Sequence, residues 1–275
     1  MESRFRRLTA LSAGLTFVLV LLGVYTAAAG AGLTCDQNWP FCDGAVFGLF
    51  PANWASFVEW FHRLVAMVTG FVILGNTVSA FRGAAGRKTQ GALAIATLLL
   101  PAQIVLGALT VTQYEWLILT AHFVTAATIF AGVVLAALWA ADDVVTNRLV
   151  RAVAGLVPLT VGAMVVLNPR TFVAYTPPVQ VAYYAVALLA FGGALATAVW
   201  AGRHGLDARA RLPALGCSTL LFGLLAVGRQ YYGLDGRVLS LGATALALGL
   251  ALLTWWVARR DSPDGRHETG VPSDD

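Results

Sequence analysis

The chain has 275 residues, of which 58% are hydrophobic and 12% are charged, and its formal net charge is +4. Several long uncharged runs exclude a water-soluble domain with a single core and predict an all-α polytopic membrane protein that contacts lipid. The small, unevenly placed charge argues against nucleic-acid binding and informs membrane topology instead.

Eight apolar runs predict eight transmembrane helices, because about 20 apolar residues at 1.5 Å each span the hydrocarbon core. The first run is too long for a signal peptide and is predicted to be a retained helix. Polar residues 140–148 separate two halves of four helices, which look like an internal duplication. We expect halves at 1–140 and 141–258, and a disordered cytoplasmic tail at 259–275. The runs are 8–29, 60–81, 91–112, 117–139, 149–167, 179–201, 211–228 and 237–257.

The basic residues are distributed unequally between the two sides of the predicted membrane. By the positive-inside rule, the side that carries more of them is cytoplasmic, which predicts that both termini are cytoplasmic. Four of the 18 basic residues fall on the external side, namely Arg63, Arg170, Arg229 and Arg237. The others are Arg4, Arg6, Arg7, Arg82, Arg87, Lys88, Arg148, Arg151, Arg203, Arg209, Arg211, Arg259, Arg260 and Arg266.

The first external loop, residues 30–58, is the longest connection and contains Cys35 and Cys42. Thiols outside the cell can stay oxidised, and a disulfide closing this short ring would stabilise by roughly 2–3 kcal/mol. The pair is open to a structural and to a redox-active interpretation. The structural disulfide is favoured because the spacing is not Cys-x-x-Cys. Cys217 lies alone in a late helix and is predicted to be a packing residue.

Glu59, His62 and Arg63 lie around the start of the second run, at the mouth of an apolar helix. Glu59 and His62 are three residues apart and share a helix face, which small residues continue and so leave room for a flat, bulky group. Ionisable groups inside a membrane are costly and are candidates for a functional site. The alternative is that these side chains only reach the headgroups.

The fourth run contains His122, at about the depth of His62 near the external end of a parallel span. Two imidazoles that face each other across a helix bundle are the usual ligands of a haem iron. A zinc ion would need further ligands, and only Glu59 is available. A proton relay through Glu59 and His62, or a structural polar network, stays open as an alternative.

The third run carries Gln103, Gly107 and Thr110 at spacings of four and three residues. This small, weakly polar stripe suits close helix contact, and packing explains it adequately. In the second half, Gln180 and Tyr183 occupy the positions of Glu59 and His62. The sixth and eighth runs contain no histidine, so the second half is not expected to bind a ligand through imidazole.

The first half resembles haem A synthase. The segments Gly30-Ala-Gly32-Leu-Thr-Cys35 and Trp39-Pro40-Phe-Cys42-Asp-Gly44 look like the Gly-Leu-x-Cys and Trp-Pro-x-Cys-x-Gly loop of that family. Glu59-Trp-Phe-His62-Arg63 is similar to its Glu-x-x-His-Arg motif, and residues 103–111 to its third-helix motif. His122 matches the second histidine of the family's pair.

The resemblance implies that Glu59, His62 and His122 form the catalytic site for haem O. The family converts one ring methyl to a formyl group through successive hydroxylations and a geminal diol that loses water, giving haem A for terminal oxidases. His62 and His122 are then the ligands of the haem iron, and Arg63 a donor to a propionate. Haem O synthase and a terminal oxidase are the implied partners in the cell membrane, and a homo-oligomer is compatible with the sequence.

The second half departs from the family pattern, with Tyr183 and Ser240 where a second pair of histidines would bind an auxiliary haem b. This departure argues against that second haem. Ala27 also replaces a basic residue that the family tends to carry before the loop.

An iron with two imidazole ligands has no open position for oxygen and normally transfers electrons. Either one histidine leaves the iron during turnover, or this iron is not the oxidant. Two alternative functions therefore stay open. One is a non-catalytic b-type haem protein that passes electrons between quinol and an oxidase through His62 and His122. The other is a thiol–disulfide oxidoreductase that uses Cys35 and Cys42.

Overall fold

The computed structural model is built mainly of α-helices, as the sequence predicts. It describes residues 2–35, 38–39, 42, 45–46, 50–51, 53–83, 85–113, 115–168, 172–204, 206–227 and 234–260. Within them lie eight α-helices and one pair of two-residue strands in the first loop, β1 (Ala45–Val46) and β2 (Phe50–Pro51). Residues 261–275 of the predicted tail lie outside the described part. The helices are α1 (Glu2–Ala28), α2 (Trp54–Arg82), α3 (Arg87–Thr112), α4 (Trp116–Ala140), α5 (Asn147–Val166), α6 (Pro177–Trp200), α7 (Arg211–Val227) and α8 (Leu234–Arg260).

Seven of these helices, all but α7, are long and apolar enough to cross a membrane. Helix α7 is described over 17 residues, which is roughly 25 Å at the rise of an α-helix. Residues 228–233, which follow it, are outside the described part. The chain is thus a multi-pass membrane protein, while the orientation with both termini in the cytoplasm stays a prediction.

The helices pack as two rings of four. Helix α1 contacts α2, α2 contacts α3, α3 contacts α4, and α4 returns to α1. Helices α5 to α8 repeat this order, with α5 against α8. The two rings meet where α1 contacts α6 and where α4 contacts both α6 and α7. The domain boundaries expected at residues 140 and 258 stay predictions.

Aromatic side chains line the contact between the two rings of helices. Phe130 on α4 lies 6.4 Å from Phe17 on α1 and 6.4 Å from Phe191 on α6, measured between ring centroids. Phe123 and Tyr184 meet edge to face at 5.2 Å. Aromatic side chains bury large apolar areas with specific geometry, so this contact fixes how one ring of helices sits on the other.

The outward faces of the helices carry large exposed apolar side chains, such as Phe71 (67% exposed) and Leu98 (76% exposed). Lipid tails are as apolar as these side chains, so moving the side chains from lipid into the protein interior would stabilise the fold little. The helices instead approach each other through small residues, and Gly132 of α4 lies directly against the backbone of α3 at Ala92.

Helix α2 begins at Trp54, earlier than the predicted start at residue 60. Asn53 caps it, because its side chain accepts a hydrogen bond from the backbone N–H of Ser56 at 2.8 Å. Glu59 and His62 therefore lie in the second and third turns of α2 and not at its mouth, which corrects the expectation from hydropathy.

Close packing of α3 against α4 generates a first prediction, which uses the substitution Gly132→Val. A Cβ at Gly132 would lie 3.0 Å from the carbonyl oxygen of Ala92, so the helices must separate. We expect the free energy of unfolding to fall by about 1–3 kcal/mol, as for overpacking elsewhere. Thermal unfolding of the detergent-purified protein measures this change.

Gly75→Val is the matched control, since Gly75 is exposed on α2 and a Cβ there would meet nothing within 4 Å. It places the same residue in the interior of a helix without a steric conflict. Equal unfolding temperatures for the two variants would contradict the assigned contact.

Candidate functional site

The two helical histidines lie on opposite helices of the first ring. Helices α1 and α3 lie between α2, which carries His62, and α4, which carries His122. A Cβ at Gly23 of α1 would be 3.1 Å from Nε2 of His62, and one at Gly107 of α3 would be 3.3 Å from Cε1 of His122. Each imidazole thus packs on the bare backbone of a flanking helix.

Glu59 and Arg63 form an ion pair one turn apart on α2. The Arg63 Nε–H donates to Oε1 of Glu59 at 2.8 Å, and Glu59 is only 5% exposed. A second donor of Arg63, Nη1, reaches the backbone carbonyl of Asn38 at 3.1 Å. An unpaired carboxylate at this depth would be costly, so the pair keeps Glu59 in place and ties the external loop to α2.

The external loop is fixed to the start of α2 by a disulfide and by side-chain hydrogen bonds. Cys35 and Cys42 are bonded, with their Cα atoms 4.5 Å apart. The hydroxyl of Ser56 donates to the carbonyl of Thr34 at 2.9 Å, and Asn53 Nδ2 donates to the same hydroxyl at 3.0 Å. The loop therefore lies directly over the end of α2 that carries the ion pair.

Both cysteines are buried: Cys35 is completely buried and Cys42 is 5% exposed. Thiol–disulfide exchange requires a thiolate to reach one of the sulfur atoms. Burial therefore favours the structural interpretation of the bond over the redox-active one.

Gln103 contacts His122. The sequence did not predict this contact, because helix packing was sufficient to explain the stripe of small and polar residues to which Gln103 belongs. Its side-chain Nε2 lies 3.3 Å from Nε2 of His122. Which of the two groups donates depends on the tautomer of His122. Among the described residues Nδ1 is buried without a hydrogen-bond partner. The signal available in the sequence was a polar amide on the same face as Gly107.

Other contacts of the site left no readable signal in the sequence. Asn38 acts through its backbone carbonyl, which any residue could supply. Gly23 is one of several glycines in apolar runs, and its contact with His62 depends on how α1 and α2 are rotated against each other. Gly32 lies near the carboxylate of Glu59, because the loop folds back over α2. A Cβ at Gly32 would be 3.8 Å from Oε2 of Glu59.

In the second ring, the side chains at the expected histidine positions lie near each other. The phenol of Tyr183 on α6 is close enough to interact with the hydroxyl of Ser240 on α8. Asn168 Nδ2 donates to the Ser240 hydroxyl at 3.1 Å. All three residues are buried. A phenol or hydroxyl is a poor axial ligand of haem iron, so these contacts suit a filled helix interface.

Comparison with known proteins places most of the first ring and the start of the second in one family. The model of the cytochrome oxidase assembly protein family matches residues 6–173. The chain is 29% identical over 141 residues to a haem A synthase of Bacillus pumilus, covering 50% of this chain and 45% of the relative.

The chain is also similar to proteins that carry a different name. It is 37% identical over 139 residues to a protohaem IX farnesyltransferase of Haloarcula marismortui, covering 50% of this chain and 29% of the relative. A farnesyltransferase of Halobacterium salinarum is 35% identical over 127 residues, covering 46% and 28%. The chain thus spans less than half the length of these curated relatives.

The loop generates a second prediction, for Cys35→Ser combined with Cys42→Ser. We expect stability to fall by roughly 2–3 kcal/mol, because the unfolded chain loses the constraint of a closed ring. The activity of the folded protein should fall proportionately less than its free energy of unfolding. Thermal unfolding and activity of the same preparation compare the two effects.

Thiol counting by mass after alkylation checks the bond itself. The unreduced, denatured protein should react once, at Cys217, and a Cys217→Ala variant should not react at all. Reaction at two or more sites would show that Cys35 and Cys42 are not bonded.

Proposed function

The chain belongs to the cytochrome oxidase assembly protein family, and from that premise we propose that it is a haem A synthase, which oxidises the ring methyl of haem O to a formyl group. The observation that carries the proposal is the placement of Glu59, His62 and Arg63 on α2 and His122 on α4 within one ring of helices. All four residues lie inside the segment that matches the family.

His62 and His122 would hold the iron of the substrate haem. Imidazoles on facing helices of a four-helix bundle suit this role, and here they belong to opposite members of the first ring. Two glycines of the site favour a ligand there. Gly23 and Gly107 place no side chains beside the imidazoles.

Arg63 and Glu59 would act beside the histidines. Arg63 directly follows His62 on α2. Its hydrogen bond to the Asn38 carbonyl keeps the guanidinium beside the loop. A guanidinium there can bind a propionate through two parallel hydrogen bonds. Glu59 would accept protons that leave the reacting group, or order a water molecule.

The contact of Gln103 with His122 bears on which ligand could leave the iron during turnover. Nitrogen Nε2 of His122 already has a hydrogen-bond partner in the side-chain amide of Gln103. With this partner, the imidazole nitrogen would stay hydrogen-bonded after it loses its bond to the metal. This matters because an unsatisfied polar group in an apolar interior is costly. We propose that His122 is the ligand that moves and that Gln103 receives it.

The relatives named protohaem IX farnesyltransferase bear on the partners. They share a segment with half of this chain, and by name they act on protohaem. A haem farnesyltransferase, haem O synthase, would thus deliver the substrate, and a terminal oxidase would receive the product. Both partners are proposals, since the matched segments are only a part of each relative.

The ligand assignment generates a third prediction. Protein loaded with haem should hold about one haem per chain, and His62→Ala with His122→Ala should bring the haem content near zero, because both ligands lie in the first ring. Each single variant should abolish haem A formation without removing the protein from the membrane. The pyridine haemochrome spectrum gives the content, and mass analysis of extracted haem identifies the species.

His204→Ala is the control, because His204 contacts Asp142 at the other end of the molecule and should leave haem content unchanged. Haem O, its hydroxylated form or haem A in the extract supports the enzyme, whereas haem b alone favours an electron-transfer protein. Two haems per chain, or a low-spin signal that survives in the double variant, would contradict the assignment.

Gln103→Leu generates a fourth prediction. Haem content should be retained, while conversion of haem O to haem A should slow by about 2- to 10-fold, which corresponds to the loss of one neutral hydrogen bond. Haem species extracted over time from cells that supply haem O measure the rate.

Thr110→Val is the matched control, since Thr110 lies further along α3 and its hydroxyl donates to the Gly107 carbonyl of its own helix at 2.7 Å. A rate equal to that of the unaltered protein would exclude a role for Gln103 in turnover. Loss of haem to the extent seen in His122→Ala would show that Gln103 acts only in binding.

A further inference from the structure

A cavity of about 370 Å³ opens between the start of α5 and the end of α8, on the second ring and away from the histidines. Arg151 of α5 forms one side, and Trp255, Ala258 and Arg259 of α8 form the other. Both helix ends belong to the side that the distribution of basic residues predicts to be cytoplasmic. The cavity therefore lies near the level of the lipid headgroups.

Arg151 brings a charge into this cavity, and within the described part of the chain no acidic side chain pairs with it. Its Nε is buried and has no hydrogen-bond partner among the described residues. Neither Arg151 nor Arg259 forms an ion pair within the described part of the chain. A guanidinium that has lost water needs an acceptor to replace it, and an anion is the strongest one available.

On the opposite side of the cavity, Arg259 lies against Trp255. Its guanidinium carbon is 4.5 Å from the centre of the Trp255 ring, a distance typical of a cation–π contact. Such a contact positions the guanidinium beside the cavity, and a guanidinium has five N–H donors with which to bind a ligand.

The tryptophan itself packs on α5 at a position without a side chain. A Cβ at Gly155 would lie 3.3 Å from Nε1 of Trp255. The indole can approach α5 this closely only because residue 155 is a glycine. The contact sets the spacing of α5 and α8, and so holds Arg151 and Arg259 on either side of one small space.

We propose that this cavity binds a phosphate group, supplied either by an anionic lipid headgroup or by a free phosphate. Two guanidinium groups match the oxygens of phosphate through paired, charge-assisted hydrogen bonds. Tryptophan is common at the membrane interface, and the cytoplasmic leaflet carries anionic lipids that attract basic residues. The site is separate from the histidine pair and does not depend on the proposed haem chemistry.

Titration of the delipidated, full-length protein in detergent tests the proposal with three short-chain or soluble probes. These are dioctanoyl phosphatidylglycerol, dioctanoyl phosphatidylcholine and inorganic phosphate. We expect phosphatidylglycerol to bind more tightly than the zwitterionic lipid and to raise the unfolding temperature. Arg151→Gln with Arg259→Gln should weaken its binding by about tenfold or more, the effect of losing charged hydrogen bonds.

Arg82→Gln with Arg87→Gln is the matched control, since both side chains are exposed and the change in net charge is the same. It should bind phosphatidylglycerol as the unaltered protein does. Displacement of the lipid by inorganic phosphate would identify a site that also takes free phosphate, whereas binding of the lipid alone would identify the headgroup as the ligand.

Arg259→Gln alone keeps the test decisive if the double variant does not fold, because the Arg259 side chain is exposed and its loss leaves the helix core intact. It should weaken lipid binding several-fold while the protein elutes from gel filtration unchanged. Undiminished binding in the arginine variants, or equal affinity for the two lipids in the unaltered protein, would overturn the proposal.

Discussion

A hydrocarbon environment offers no hydrogen bonds, so the polar groups that this chain places between its helices depend on partners within the protein. Asn76 on α2 donates to the hydroxyl of Ser12 on α1 at 3.0 Å. The hydroxyls of Thr77 on α2 and Thr97 on α3 lie 2.7 Å apart. These contacts fix the rotation of α1, α2 and α3 about their axes. That rotation in turn decides which side chains of α2 face the interior, His62 among them.

The same constraint explains the form of the site. Glu59 can remain buried because Arg63 neutralises it, and Arg63 can remain there because the Asn38 carbonyl receives one of its donors. The loop that supplies this carbonyl is held by the Cys35–Cys42 bond. The ion pair and the disulfide are thus two parts of one structure, which covers the end of the first ring that the sequence predicts to be external.

The two rings of helices treat equivalent positions differently. In the first, imidazoles on α2 and α4 pack on glycines of α1 and α3, and a ligand could be held between helices. In the second, Tyr183 and Ser240 are buried near each other at the corresponding positions. A bundle whose interior is satisfied by its own side chains has less need of a ligand, and the second ring packs against the first through aromatic residues.

The sequence by itself determined the class of fold and the helices, and it predicted the residues of a site, because hydrophobic runs and ionisable groups within them are properties of short segments. It placed Glu59, His62, Arg63 and His122 on the right helices. Only the tertiary structure decided that Gln103 contacts His122 and that α2 starts at an asparagine cap before the apolar run.

The proximity of Tyr183 to Ser240 and the cavity at Arg151 also depend on tertiary structure. The physical reason is the same in each case. Hydropathy specifies which segments enter the membrane, but in lipid it exerts little force between helices. Which faces meet is therefore decided by steric fit and by hydrogen bonds between residues far apart in the chain, and neither can be read from one segment alone.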